Sequence, residues 1–345
     1  MISSKVAYFK SINELEAYCE QKIKDESHLV FIDNNVLFKF PTLGNSSMET
    51  IAIKVSEEEK NIDTVSEIWK IMFEKSLERS STIFSIGGGV VSDSVGFAAS
   101  TYKRGTKLIT IPTTLLSMVD AAHGGKNGIN NEFGKNQIGT FMMPQEVLIC
   151  PEFLSQLPEK EIKTGLIELI KAGFLGSPEL VEKVYEVDVN NIDVSLISEA
   201  IDIKNNIVNN DFKESSDRMF LNFGHTIGHR IEADSHHQIS HGEAVAVGIL
   251  KAMQISEKLC GLAPNVSAKF EQFLDNLQIS TIYEFKKNSA QLKELLLNDK
   301  KVENSKVKYV LLKNIGEPVL IDYDIRDLLD AVSYTHLTLP TIYTV

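Results

Sequence analysis

The chain of 345 residues has little cysteine, three in all, and Cys19, Cys150 and Cys260 lie too far apart to build a disulfide or zinc-ribbon framework. It has no run approaching the roughly 20 apolar residues that span a bilayer. Met1-Ile-Ser-Ser-Lys5 lacks the apolar core of a signal peptide, so a reducing cytoplasm is the expected location. Positive charge is also scarce. A formal net charge of -12 argues against broad binding to nucleic acid or to anionic membrane, although local clusters of Lys and Arg could still hold small anions. No internal repeat and no low-complexity linker interrupts the chain, and the G-x-G-x-x-G fingerprint of dinucleotide binding is missing. What remains is 43% hydrophobic and 24% charged, a composition that fits two globular domains.

The apolar pattern divides those domains. Val30–Asp33, residues 51–55, Ser81–Ile86 and Lys107–Ile111 are β-prone, and they alternate with helical periods at Ile62–Leu77 and at a small-residue stretch, Ser92–Tyr102. The alternation predicts an α/β domain with a mostly parallel sheet over residues 1–155. From Pro158 onward the period is helical at 159–174, 180–185, 194–209, 223–233, 244–259 and 267–277. Residues 156–332 therefore read as an all-α domain, with a charged terminal helix over 321–330. The last stretch, 333–345, contains no Asp, Glu, Lys or Arg and reads as a non-native tail.

Chemistry concentrates in Leu221-Asn-Phe-Gly-His-Thr-Ile-Gly-His-Arg-Ile-Glu232 and His241-Gly-Glu243. On a helix, His225 and His229 stand about 40° apart around the axis and about 6 Å along it. Spacing alone thus pairs them as metal ligands, while His241 precedes an apolar-periodic run and is expected at a helix N-terminus. A hydrogen-bonded His pair has the same spacing. Gly87-Gly-Gly-Val-Val-Ser-Asp93 lies between a strand and a helix, where bare backbone could approach a pyrophosphate or simply turn. Asp33, and Glu57 with Lys60, follow strands and could meet ribose, phosphate or only solvent. Arg104, Thr113-Thr114, Asp120, Gly124-Gly-Lys126 and Gly134-Lys-Asn136 bring cations and hydroxyls beside glycine, a composition suited to phosphate or carboxylate. Glu168 and Lys171 share a helix face in an apolar sequence and need compensation there, as a salt bridge or as a site. Lys204 and Arg218 add cations upstream of the histidines.

Together these segments resemble the 3-dehydroquinate synthases of the sugar phosphate cyclase superfamily, from about Asp33 to Gly316. The resemblance rests on Gly-Gly-Gly-Val-Val, Ile-Pro-Thr-Thr-Leu-Leu, Val-Asp with Gly-Gly-Lys beyond it, Gly-Lys-Asn-Gln-Ile-Gly, Glu-Leu-Ile-Lys, Leu-Asn-Phe-Gly-His-Thr-Ile-Gly-His, His-Gly-Glu-Ala-Val-Ala and Asp299-Lys-Lys301. It implies an NAD-binding α/β domain, a helical metal-binding domain, a cleft between them and a homodimer. It implies Glu168, His225 and His241 as ligands of Zn2+, with Co2+ an alternative, which reassigns His229 to substrate phosphate or proton transfer. Catalytic positions would be Lys171, Lys204, Asn222 and His229. Arg104, Lys126, Asn136, Arg218 and Lys300 would bind a sugar phosphate. Asp33, Glu57, Lys60, Gly88, Gly89, Val90, Asp93, Thr113, Thr114, Asp120, Lys135 and Phe153 would bind NAD.

The implied reaction converts 3-deoxy-D-arabino-heptulosonate 7-phosphate to 3-dehydroquinate and phosphate. It runs through transient oxidation by NAD, phosphate elimination, reduction and intramolecular aldol closure. The chain departs from the family pattern at Ser92, at Ala121-Ala122-His123 in place of a Ser-Ser-Val-like stretch, at Asn127 and at Gln156. These departures keep three alternatives open: another sugar phosphate cyclase, an iron-type alcohol or glycerol dehydrogenase, and a non-catalytic paralogue.

Overall fold

The computed structural model describes residues 4–23, 27–44, 46–214, 216–236, 238–283, 285, 302–303 and 306–324. The chain forms two compact units, Met1–Leu169 with Glu186–Asp217, and Ile170–Tyr185 with Arg218–Val345.

The first unit opens with β1 (Lys5–Tyr8), α1 (Ile12–Lys22), β2 (His28–Asp33), α2 (Asn34–Lys39) and β3 (Thr50–Ile53). It continues through α3 (Ile62–Glu74), β4 (Thr82–Gly87), α4 (Gly89–Thr101), β5 (Lys107–Pro112), β6 (Lys126–Asn131), β7 (Gly134–Phe141) and β8 (Glu146–Ile149). Six strands form a sheet in the order β1-β8-β5-β4-β2-β3, and every pairing in it is parallel. Parallel strands covered on both faces read as continuous apolar runs, and β4 is buried along its whole length. Against one face packs a core of Leu29, Phe31, Ile83, Val91, Val95 and Ala98, with Val65, Ile68 and Met72 from α3. Apolar positions three and four apart give α3 that face, and the Asn61 carboxamide caps its first turn.

Two features of this unit follow from pairing and not from period. β6 and β7 form a separate antiparallel hairpin. Asn127 on β6 is buried, donates to the carbonyls of Gly125 and Met142 at 3.1 Å each, and sets its oxygen against α4. A Cβ at Gly96 of α4 would lie 2.0 Å from that oxygen, so helix and hairpin meet where there is no side chain.

α5 (Glu159–Gly176) begins in the first unit and ends in the second, where α6 (Pro178–Tyr185) follows it; α7 (Val194–Asn210) lies in the first unit. The second unit holds α8 (His225–Asp234), α9 (His241–Cys260) and α10 (Pro264–Asn276), with Phe174, Phe223 and Phe270 stacked edge to face in its core. It is mostly helical, but it also carries β9 (Val302–Glu303), β10 (Lys306–Asn314) and β11 (Glu317–Asp324), an antiparallel sheet in a region expected to be all-α. The terminal helix expected over 321–330 is corrected at its start, since Ile321–Asp324 lie in β11 and pair with β10, while 325–330 lie outside the described residues. The cross-strand partners Tyr309↔Ile321 and Lys308↔Asp322 outweigh a local charge pattern that favours helix. The tail at 333–345, expected to be non-native, lies outside the described residues.

Candidate metal centre and anion-binding residues

α8 and α9 pack backbone to backbone. A Cβ at Gly248 would stand 2.0 Å from the carbonyl oxygen of Gly224, and Gly224 itself has φ +79°, where a side chain is strained. The glycines thus bring the first residue of α8, His225, beside the first residue of α9, His241, with ring centroids 5.4 Å apart. His241 is held at its helix start by a capping box. Ser240 accepts from the Glu243 amide, and Glu243 accepts from the Ser240 amide at 2.9 Å. Glu243 therefore shapes the helix end, and the chemistry of the His-Gly-Glu motif falls to His241.

The unit boundary falls inside α5, between Leu169 and Ile170, where the helix is continuous. Glu168 therefore stands two residues before Ile170 on a rigid element. Glu168, His225 and His241 each offer one ligand atom, and the three atoms lie within 4.8 Å of one another. One ring nitrogen of each imidazole is engaged. His225 Nδ1 lies 3.2 Å from the Phe223 carbonyl, and His241 Nδ1 lies 3.2 Å from Glu232 Oε2. Both partners are acceptors, so each Nδ1 carries the proton and each Nε2 keeps its lone pair. One carboxylate and two oriented neutral imidazoles form a donor set suited to a borderline divalent cation with positions left open. The residues fit a metal ion.

His229 is exposed one turn along α8, with its ring 5.3 Å from that of His225 and 6.3 Å from that of His241, and it is not in the ligand group. The pairing of His225 with His229 suggested by spacing gives way to the set of Glu168, His225 and His241. Glu232 is the functional residue that sequence reading missed. It stands in the quoted motif, but nothing local distinguishes it from any other helix-face carboxylate. Lys171 is buried and donates to the Leu221 carbonyl at 2.9 Å, next to Asn222, whose carboxamide donates to Met219 O at 3.1 Å. Arg218 is buried in the same unit.

The first unit gathers a second set. Lys60, 3% exposed, donates to Asp93 Oδ2 at 2.5 Å and to Asn136 Oδ1 at 2.7 Å. Burial pushes the Asp93 carboxyl above its ordinary range, and the Lys60 ammonium opposes that. Asn130 ties Glu57 to this group, donating to its carbonyl and to Oε1 at 2.9 Å each. Lys204 is buried and donates to Asp120 Oδ1 at 2.7 Å, and Lys126 pairs with Glu214 at 2.5 Å. Four predicted residues thus form two ion pairs, Lys60 with Asp93 and Lys204 with Asp120.

At the end of β4, α4 starts from Gly88 without a side-chain cap, and Val90 is half-buried in its first turn. A Cβ at Gly88 would meet Thr114 Cγ2 at 3.2 Å, so the glycine turn and the Thr113-Thr114 segment approach closely. An uncapped helix N-terminus on bare backbone fits a pyrophosphate. Other predicted positions have structural duties of their own. Asp33 caps α2 through the Asn35 amide at 2.8 Å, and Phe153 is buried edge-on against Phe40. Arg104 is exposed with φ +66°, and Lys135 is exposed on β7. Lys300 lies outside the described residues. No helix among them is long and apolar enough to cross a membrane.

Comparison with known proteins places these features. Residues 50–164 match the family model described as 3-dehydroquinate synthase N-terminal, and residues 165–302 match the one described as 3-dehydroquinate synthase C-terminal. The 3-dehydroquinate synthase of Campylobacter jejuni is 36% identical over 332 residues, covering 87% of this chain and 94% of its own. The fold is shared with 2-epi-5-epi-valiolone synthase from Streptomyces hygroscopicus, solved with NAD+ and Zn2+ (TM-score 0.84, 24% identity, 97% of each chain). It is also shared with 2-deoxy-scyllo-inosose synthase, solved with carbaglucose-6-phosphate, NAD+ and Co2+ (TM-score 0.83, 22% identity, 95% of this chain and 96% of that one).

Proposed function

The chain belongs to the 3-dehydroquinate synthase family, and from that premise we propose that it converts 3-deoxy-D-arabino-heptulosonate 7-phosphate to 3-dehydroquinate and phosphate. The observation that carries the reading is the set of Glu168, His225 and His241, with the Nδ1 atoms of both imidazoles held by acceptors. The homologues are enzymes, phosphate-eliminating cyclases classed as lyases.

Glu168, His225 and His241 would hold Zn2+ or Co2+, and Gly88, Gly89, Val90, Asp93, Thr113, Thr114 and Asp120 would line the seat of NAD. When bound, the two supply a Lewis acid for substrate hydroxyls and a hydride acceptor that is restored within the turnover. The protein's share is positioning and proton handling. Lys171 and Lys204 are buried ammonium groups already engaged by oxygen acceptors, which supports reading them as oriented donors to an anionic substrate. Arg104, Lys126, Asn136, Arg218 and Lys300 supply further contacts to carboxylate and phosphate. His229 is exposed beside the ligand set without belonging to it, a position suited to carrying the proton that phosphate departure requires. Asn222 orients substrate beside Lys171, while Asp33, Glu57, Lys60, Lys135 and Phe153 complete the NAD side. A cytoplasmic homodimer is part of the same reading, as is the division at residues 155 and 156.

The test is turnover of purified protein with heptulosonate phosphate, sedoheptulose 7-phosphate and glucose 6-phosphate, at catalytic NAD, with metal analysis of the same preparation. Phosphate release from the first without net NADH is the expected result. Release only from another sugar phosphate reassigns the substrate, and accumulating NADH points to a dehydrogenase.

A further inference from the structure

His123 stands in the Ala-Ala-His stretch that departs from the family pattern, and it is 3% exposed. Its Nε2 lies 2.9 Å from the carbonyl oxygen of Met118. That carbonyl is available because Ser117–Ala121 is wound as a π turn. The Ala122 amide donates to Ser117 O, five residues back, at 3.1 Å, whereas an α-helical turn would send it to Met118 O. A buried carbonyl that loses its helical donor needs another, and the imidazole provides one. The acceptor fixes the tautomer, with the proton on Nε2.

The same turn presents Asp120. Its carbonyl oxygen and Oδ1 both accept from Lys204 Nζ, at 2.5 and 2.7 Å, and its carbonyl also accepts from the His123 amide at 3.0 Å. His123 thus grips the turn twice, at Asp120 through its backbone and at Met118 through its ring. We propose that His123 is a positioning residue that locks the π turn so that Asp120 keeps both oxygens on Lys204. The proposal rests on the reading of Asp120 as a residue of the NAD seat. Among the described residues, Asp120 and Lys204 are the charged groups that act on the ring. Burial, and then the Lys204 ammonium, push its pKa down to about 4, so the ring stays the neutral donor that the turn requires.

Steady-state kinetics with NAD varied, on the wild type, His123→Val and His123→Gln, test this. Valine removes the donor, whereas the glutamine amide nitrogen can reach the place of Nε2. We expect His123→Val to raise KM for NAD roughly tenfold with kcat changed less than about threefold, with metal content unchanged and with His123→Gln close to wild type. An unaltered KM in the valine variant, or equal impairment of both variants, overturns the proposal. Absence of turnover by the wild type strikes the functional reading instead. Imidazole 15N spectra of the wild type then still decide, because an Nδ1-protonated His123 overturns the proposal whether or not the valine variant folds.

Discussion

Glu232 Oε2 lies 3.2 Å from His241 Nδ1, so a carboxylate on α8 holds the proton of an imidazole on α9 and leaves the lone pair on its other nitrogen. A carboxylate behind a ligating histidine fixes ring orientation and raises basicity. Glu232→Gln keeps the shape and removes the charge. Affinity for Zn2+ should fall roughly 10-fold to 100-fold, read by competition with a chromophoric chelator. Affinity equal to wild type would mean that Glu232 does not act on the ligand.

His229 offers a division of labour that metal analysis can resolve. His229→Ala should keep its Zn2+ and lose roughly 10²-fold to 10⁴-fold in kcat, the range for a removed proton-transfer group. His225→Ala should lose both. Loss of metal from the His229 variant would return that residue to the coordination sphere.

The close approach of α8 and α9 predicts a coupled loss of stability and metal. A methyl at Gly248 has only 2.0 Å to the Gly224 carbonyl, a backbone atom that cannot rotate away. Gly248→Ala should cost about 1–3 kcal/mol, as overpacking does, and weaken metal retention by parting His225 from His241. Urea unfolding with metal analysis checks both, and an unchanged midpoint would show that the helices can slide apart without penalty.

His123 makes stability depend on pH with a definite sign. Its pKa falls from 6.5 in the open chain to about 4 in the fold, so between these values the unfolded chain binds a proton that the folded chain refuses. The stabilisation is therefore full above the upper value, shrinks as pH falls and levels off below the lower one. The total is about 3 kcal/mol at most. Urea midpoints at about pH 7 and about pH 4.5, measured beside His123→Gln, isolate it. Equal pH dependence in both proteins would assign the effect to other groups.

Much of the fold is legible in residue order because its signals are local. The apolar run at β4, the period of α3 and the Ser240-x-x-Glu243 box before α9 each depend on neighbours a few residues apart. The sheet of β10 and β11 is not legible in that way, since its register depends on partners across a turn, and a charged stretch such as 321–324 reads as helix until Lys308 and Tyr309 are set beside it. Asn127 shows the same limit. As a departure from the family pattern it suggests altered chemistry, whereas in the fold it fills the gap above Gly96 and ties two carbonyls together.

By itself, the sequence determined the alternation of strand and helix, the helix starts that display His225 and His241, and the cations set beside glycine. Through resemblance it also singled out Glu168. Only the tertiary structure decided how these groups act. Helical spacing brings His225 and His229 together but says nothing about what faces their nitrogens. Burial, the glycine contact of α8 with α9 and the acceptors at Glu232 and Phe223 orient the imidazoles. Sequence carries the identity of each donor, whereas the direction of a lone pair is set by atoms that are distant along the chain and adjacent only after packing.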